Sequence, residues 1–236
     1  DTTGLTFHGD SLVRCTIENE VSRLRVSTAA HHEIVLELPD LHDAHDVLVF
    51  ESAYYVVSTG RNRVIKLGLT GALERVYEFP GMDDAWHLNC LAVLNQRVVV
   101  TAFGRFEAHR GYKNQSLNGG FLMDLESGAQ LWSGLSQPHT PFADGDRLLI
   151  CDSETKRLLA KTADGQVRAT SFEGYPRGIA VSGGLIYVGL SCSRNLDTSA
   201  FSANAVIVAL DRETIEPSHS IELPFREVYA VVPIPE

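Results

Sequence analysis

Three histidines stand at the head of similar short apolar runs: His45 before DVLVF, His87 before LNCLAVL and His139 before TPFA. Two arginines open equivalent runs further on, Arg177 before GIAV and Arg226 before EVYAVVP, the second followed at once by Glu227. The intervals between these polar starts are 42, 52, 38 and 49 residues, the spacing of a repeated structural unit. Neutral imidazole is the commonest metal ligand, and three converging rings could hold zinc or another divalent ion with positions open for water and substrate. Such an ion polarises a carbonyl or lowers the pKa of its bound water. Without a metal, the same histidines can transfer protons, with Glu227 or Asp46 as base. The third reading of the triplet is structural: imidazoles that hydrogen-bond across a wet channel and hold loop geometry.

The elements that would carry these residues are strands. No stretch of a dozen residues keeps a 3.6-residue period with caps at both ends. Short β-branched and aromatic runs alternate instead with Gly, Asp, Asn and Pro clusters. After each polar start comes a second strand (YYVVSTG, RVVVTAF, RLLICDS, LIYVGLS) and a third (RVIKLGL, GGFLMDL, RLLAKTA, AVIVALD). A turn then leads to a fourth (RVYEFPG, QLWSGLS, ATSFEG, SIELP). Asp-Gly and Ser-Gly between strands suit tight hairpins, because glycine accepts the positive φ such turns need.

Four antiparallel strands per repeat is the anatomy of a propeller blade. The spacing predicts an all-β fold, one β-propeller domain over residues 1–236 with five four-stranded blades. The fifth blade is expected to be split, with Glu227–Pro233 pairing against Ser11–Ile17, Ser22–Ser27 and Glu33–Leu38 and so closing two free edges. Gly4–Gly9 also resembles a first strand, which leaves six blades as the alternative count.

In such a fold the blade starts are neighbours in space, so His45, His87, His139, Arg177, Arg226 and Glu227 are expected around one channel, with Asp46 and Asn89 close behind. The ends of the second strands reach the same face and bring Arg61, Asn62, Arg105, Asp152 and Arg194. Arginine forks pair with carboxylate or phosphate, so this mouth predicts an anionic or polyhydroxylated small-molecule ligand. Two long insertions, 103–120 and 192–203, are suited to cover it, with Tyr112 reaching in from the first. Tyr175 stands just before Arg177 as a wall of the pocket.

Composition narrows the partners. Thirty acidic against twenty basic residues give a formal charge of −10, and no basic stripe offsets it, so nucleic acid is excluded as an expectation. No apolar run approaches the roughly 20 residues of a membrane helix, so no membrane partner is expected. Cys15, Cys90, Cys151 and Cys192 are scattered without a CxxC pair, three of them inside apolar stretches. They predict buried thiols in a reducing cytoplasm. Nucleophile elbows, phosphate loops, dinucleotide fingerprints and HExxH are not found in the sequence.

Several segments carry a resemblance: Trp86–Asn89 (WHLN), Pro138–Pro141 (PHTP), Asp144–Ser153 (DGDRLLICDS), Arg177–Ala180 (RGIA) and Val188–Ser191 (VGLS). Together they resemble a family of uncharacterised bacterial β-propellers of unknown function, over most of Asp43 to Pro233. The resemblance implies a propeller fold and a shared site, and no particular reaction. The residues themselves point to a small-molecule lyase, isomerase or hydrolase built on His45, His87 and His139. The alternative is a ligand-binding or protein-interaction propeller.

Overall fold

A computed structural model describes residues 2–28, 30, 32–38, 40–192 and 204–234. Chain contacts divide it into two compact units, one made of the N-terminal residues to Leu135 and one running from Ser136 to Ile234.

The first unit holds three four-stranded sheets. Strands β1 (Thr2–His8), β2 (Ser11–Glu18), β3 (Val21–Ser27) and β4 (Glu33–Glu37) form the first. The second is β5 (Ala44–Phe50), β6 (Ala53–Ser58), β7 (Arg63–Gly68) and β8 (Leu73–Glu78), and the third β9 (Leu88–Leu94), β10 (Arg97–Ala102), β11 (Gly120–Asp124) and β12 (Gln130–Leu135). The second unit holds two more: β13 (Pro138–Asp144), β14 (Arg147–Asp152), β15 (Arg157–Thr162) and β16 (Val167–Ser171), then β17 (Tyr175–Ser182), β18 (Leu185–Ser191), β19 (Val206–Asp211) and β20 (Pro217–Glu222). Every sheet is an antiparallel meander in chain order, and the one helical element among the described residues is the 3-10 turn Thr59–Arg61. These are the five four-stranded blades of a β-propeller, as the repeat predicted.

Burial explains the repeat. The middle strands carry buried runs, such as AYYVVS in β6 and GFLMD in β11, while the fourth strands are largely exposed, completely so in β20. Apolar residues therefore pack between sheets rather than at their outer edges. Val13, Leu24, Val56 and Ile65 fill the space between the first two sheets, and Tyr55, Val57, Leu88 and Phe121 that between the second and third. In the second unit Leu149, Leu158, Ile186 and Val188 do the same. Cys15, Cys90, Cys151 and Cys192 are buried thiols, Cys15 and Cys151 within these layers.

The expected closure of the first sheet by the C-terminal strand is not what forms. Thr2–His8 already occupies that place, laddered on β2 from Gly4 opposite Cys15 to His8 opposite Ser11. A Cβ at Gly4 would lie 2.5 Å from Asp46 Cα, so glycine there lets β1 press on β5. Residues 223–234 instead follow β17 and β18 without forming a strand. Cys192 N–H donates to the Arg226 carbonyl (2.9 Å), and Ser191 Oγ accepts from Val228 N–H (2.9 Å) and donates to the Val228 carbonyl (3.1 Å). Side-chain hydrogen bonding by Ser191 substitutes for a ladder. Glycines 178 and 189 make room: a Cβ at either would lie 2.7 Å from Val231 N or 2.5 Å from Val228 Cγ1. Among the described residues no helix is long and apolar enough to cross a membrane.

Candidate functional site

Four of the five polar starts, His45, His87, His139 and Arg177, lie at or beside an irregular point of a sheet. The β5–β6 register shifts between Ala44 and Asp46, β13–β14 between His139 and Phe142, and β17–β18 between Arg177 and Ile179. The partner of β9 shifts between Val100 and Ala102. A bulge breaks the strict alternation of a strand and re-aims the side chain it carries. Positive φ appears in the same places, at Asp43 (50°), Asp84 (54°), His87 (49°), Gln137 (48°) and Thr140 (46°).

In the first unit this backbone brings two histidines together. The rings of His45 and His87 meet edge to face with centroids 5.0 Å apart. Nδ1 of His45 lies 3.0 Å from the Asp43 carbonyl, and Nδ1 of His87 lies 2.7 Å from Asp84 Oδ1. Both partners can only accept, so both rings carry their proton on Nδ1, which leaves Nε2 as the basic nitrogen of the neutral ring. Asp84 is buried, and its other oxygen accepts from Arg110 Nε at 2.7 Å. Burial works against ionisation of Asp84, but the hydrogen bond and charge of His87 and the Arg110 guanidinium outweigh it and hold the carboxyl below its ordinary value.

Phe103 and Tyr112 close on the His87 ring at 4.3 and 4.4 Å between centroids, leaving 10% of its side chain exposed, against 13% for His45. Burial, helped by the charge of Asp84, pushes the Tyr112 phenol up, so it stays protonated across the neutral range. Two residues on from His87, Asn89 is buried and its Nδ2 meets no acceptor, while Oδ1 lies 3.1 Å from Cys90 Sγ.

The second unit repeats the device with other chemistry. His139 Nδ1 donates to the Gln137 carbonyl at 2.8 Å and lies 2.8 Å from Ser153 Oγ, which itself donates to the Pro176 carbonyl at 2.6 Å. The Tyr175 ring meets His139 at 5.4 Å, and its hydroxyl donates to Gln137 Oε1 at 2.6 Å. The Arg177 guanidinium lies over both the Tyr175 and the Tyr229 rings, 5.1 and 4.8 Å from their centroids.

Comparison with known proteins places the chain. Residues 32–236 match the family described as a domain of unknown function, DUF4915. The chain belongs to that family. No curated protein matches the sequence of this DUF4915 domain. Its fold is similar to the calcium-binding protein regucalcin from Agrobacterium tumefaciens at 14% identity and TM-score 0.70, covering 98% of this chain and 77% of that one. It is similar to streptogramin B lyase at 14% identity and TM-score 0.62, covering 98% and 72%. A chain of a nidogen/laminin complex matches at 11% identity and TM-score 0.71, covering 98% and 84%. At these identities the likeness shows the propeller fold alone.

Several other residues expected at the mouth are held by groups of their own or the adjacent blade. Asp46 accepts from Val47 N–H (2.9 Å) and Leu91 N–H (2.8 Å), strapping β5 to β9 with both carboxylate oxygens. Burial raises its pKa to about 7 against these two bonds. Asn62 donates to the Pro80 carbonyl (2.7 Å) and accepts from Trp86 N–H (3.0 Å), so its amide pins the loop before β9. Asp152 accepts from Ser136 N–H (2.5 Å), Thr155 Oγ1 and Arg157 (2.9 Å), and is likewise a loop pin. Arg61 pairs with Asp83 at 2.7 Å, and Arg105 lies over Trp86 at 5.3 Å and Phe121 at 5.4 Å. Arg226 is exposed, Glu227 is half-buried, and Arg194 lies outside the described residues.

Among the described residues, no three His, Cys, Asp or Glu side chains are grouped so as to hold a metal ion. The first unit offers two imidazoles, with both oxygens of the nearest buried carboxylate taken by His87 and Arg110. That set does not fit calcium, which takes six to eight oxygens, nor does it complete a zinc site. Asp84 and Gln137 carry the site geometry, yet sequence reasoning passed over both. Their signal was position, three residues before His87 and two before His139. Arg110 and Tyr229 come from an insertion and from the C-terminal segment, where spacing says nothing.

Proposed function

We propose that this domain is an enzyme that moves a proton on a small anionic or polyhydroxylated molecule, in a lyase, isomerase or hydrolase step. His87 is the base at Nε2, and His45, when it carries a second proton on its own Nε2, is the partner acid. The observation that carries this reading is the hydrogen bond from His87 Nδ1 to a buried carboxylate that Arg110 holds ionised. A carboxylate behind an imidazole fixes the tautomer and stabilises the imidazolium that forms when Nε2 takes a proton. The aromatic walls of Phe103 and Tyr112 limit water around the ring, and the buried Asn89 amide offers a donor for a substrate oxygen. Similar propellers named as a lyase and as a calcium-binding protein support small-molecule chemistry on this fold, as analogy only.

A ligand-binding domain without turnover is the second reading, favoured by the tight enclosure of His87, whose side chain is 10% exposed. One experiment separates them. Thermal-shift screening of small hydroxy acids and sugar acids supplies ligands, and NMR then follows each for conversion with the parent protein, His87→Gln and Asp84→Asn. The enzyme reading expects conversion that falls at least tenfold in both variants. Binding without conversion supports the second reading, and unchanged binding and conversion in His87→Gln contradict both.

A further inference from the structure

Arg177, on β17, carries a buried donor that the second unit leaves over. Its Nε is buried and meets no acceptor in the protein. Among the described residues no carboxylate lies within ion-pair distance of it, whereas Arg147, Arg157 and Arg212 in the same unit each pair with an aspartate. The guanidinium lies over two aromatic rings, Tyr175 at 5.1 Å and Tyr229 at 4.8 Å, and the Tyr229 side chain also hydrogen-bonds it. Contacts of this kind hold the guanidinium and leave the edge that carries Nε–H as the place where a partner can come.

The surroundings keep that edge rigid. Tyr175 is buried and anchored through its hydroxyl to Gln137. Tyr229 belongs to the C-terminal segment, which Ser191 grips on both sides of Val228. Gly178, at φ +70°, lets Val231 approach the very next residue after Arg177. Burial works against the charge, but Tyr175, Tyr229 and the nearby Glu227 outweigh it, so the guanidinium remains protonated. A buried donor without an acceptor costs about 1–3 kcal/mol, which a ligand acceptor would recover.

We infer that Arg177, held against the rings of Tyr175 and Tyr229, is an oxyanion-binding site that takes the carboxylate of a small organic acid. Planarity argues for a carboxylate, because two parallel N–H···O bonds match a flat fork held in place. Charge argues the same way: Glu227 opposes a second negative charge, so a phosphate dianion is the poorer partner. Nothing in this inference requires His87 to transfer a proton, and binding alone tests it.

The test is an NMR titration of the whole chain, following the Arg177 Nε–H resonance assigned through its side-chain carbons. The probes are sodium acetate, sodium lactate, inorganic phosphate and sodium chloride at fixed ionic strength. Acetate and lactate are expected to move the resonance saturably, with phosphate weaker and chloride without effect. Arg177→Lys, which keeps charge but loses the fork, is expected to weaken carboxylate binding at least tenfold. If that variant does not fold, Tyr229→Leu, which removes one of the two rings, is expected to weaken binding several-fold. A resonance that no anion moves, or that chloride moves as much as acetate, overturns the site. Tighter phosphate than carboxylate overturns the ligand class.

Discussion

The loops leading into β5 and β9 and the loop leading into β13 use one backbone device and two chemistries. In each, a residue at positive φ precedes the histidine by two or three positions, and the imidazole donates its Nδ1–H to an acceptor in that loop. At His45 and His139 the acceptor is a carbonyl, with the partly exposed Asp43 carboxylate 3.7 Å from His45 Nδ1; at His87 it is a buried carboxylate with an arginine behind it. A carbonyl orients a ring, whereas a carboxylate also stabilises its protonated form. The difference separates a histidine placed to hold shape or ligand from one placed to accept a proton.

The contrast is sharpest in its energetics. Asp84→Ala is expected to cost about 3 kcal/mol, because it leaves His87 and Arg110 without their buried acceptor. Asp84 has a folded-state pKa below its unfolded one, so its contribution is full above about pH 4 and is lost as pH falls through the lower folded value. Urea unfolding of parent and variant from pH 7 down to pH 2 should therefore show the gap closing in acid. A gap that stays constant would break the assignment of Asp84 as a charged anchor.

Asp46, on the neighbouring strand β5, should behave in the opposite sense. Its pKa is raised to about 7, so its contribution is present below about pH 4 and lost as pH rises toward 7. The loss is expected at about 2 kcal/mol after allowing for its partial contact with water. Asp46→Asn should flatten the stability profile between pH 4 and 7, whatever fixed cost it adds, and an unchanged slope would count against the strap.

Smaller effects test the second unit. Gly178→Ala is expected to cost about 2 kcal/mol, because it combines strain at φ +70° with a Cβ 2.7 Å from Val231 N. Gly128→Ala, at the same φ of +70° with nothing within 4 Å, should cost about 1 kcal/mol. Equal costs would mean that the C-terminal segment does not hold Arg177 and Tyr229 in place. Ser153→Ala, which removes a neutral partner of His139, should cost about 1 kcal/mol. If it matches Asp84→Ala, the distinction between the His87 and His139 loops fails.

Much of this architecture was legible in the sequence because each blade repeats the same hydrophobic order. The strand runs and turn residues stated the five sheets, and the polar starts marked the bulged positions where His45, His87, His139 and Arg177 lie. The closure was not legible. GLTFH and EVYAVVP both read as first strands, and only packing decides between them: Gly4 fits beneath Asp46, while Ser191, Gly178 and Gly189 hold the C-terminal segment without a ladder. The roles of Asp46, Asn62 and Asp152 were hidden for a related reason. A polar residue beside a strand start has the same spacing whether it faces a ligand or caps backbone N–H groups, and here hydrogen bonds assign all three to the backbone. Asp84 and Arg110 meet across 26 residues, a distance that periodicity does not encode.

The central claim is that a buried carboxylate sets His87 apart from the other histidines at strand starts. Long-range proton–nitrogen NMR of the imidazoles in the parent and in Asp84→Asn tests it without knowledge of any ligand. His45, His87 and His139 should all show the Nδ1–H tautomer when neutral, and of the three only the His87 Nδ1–H resonance should move in Asp84→Asn. An Nε2–H tautomer at His87, or a His87 Nδ1–H resonance that Asp84→Asn leaves unmoved, would contradict it.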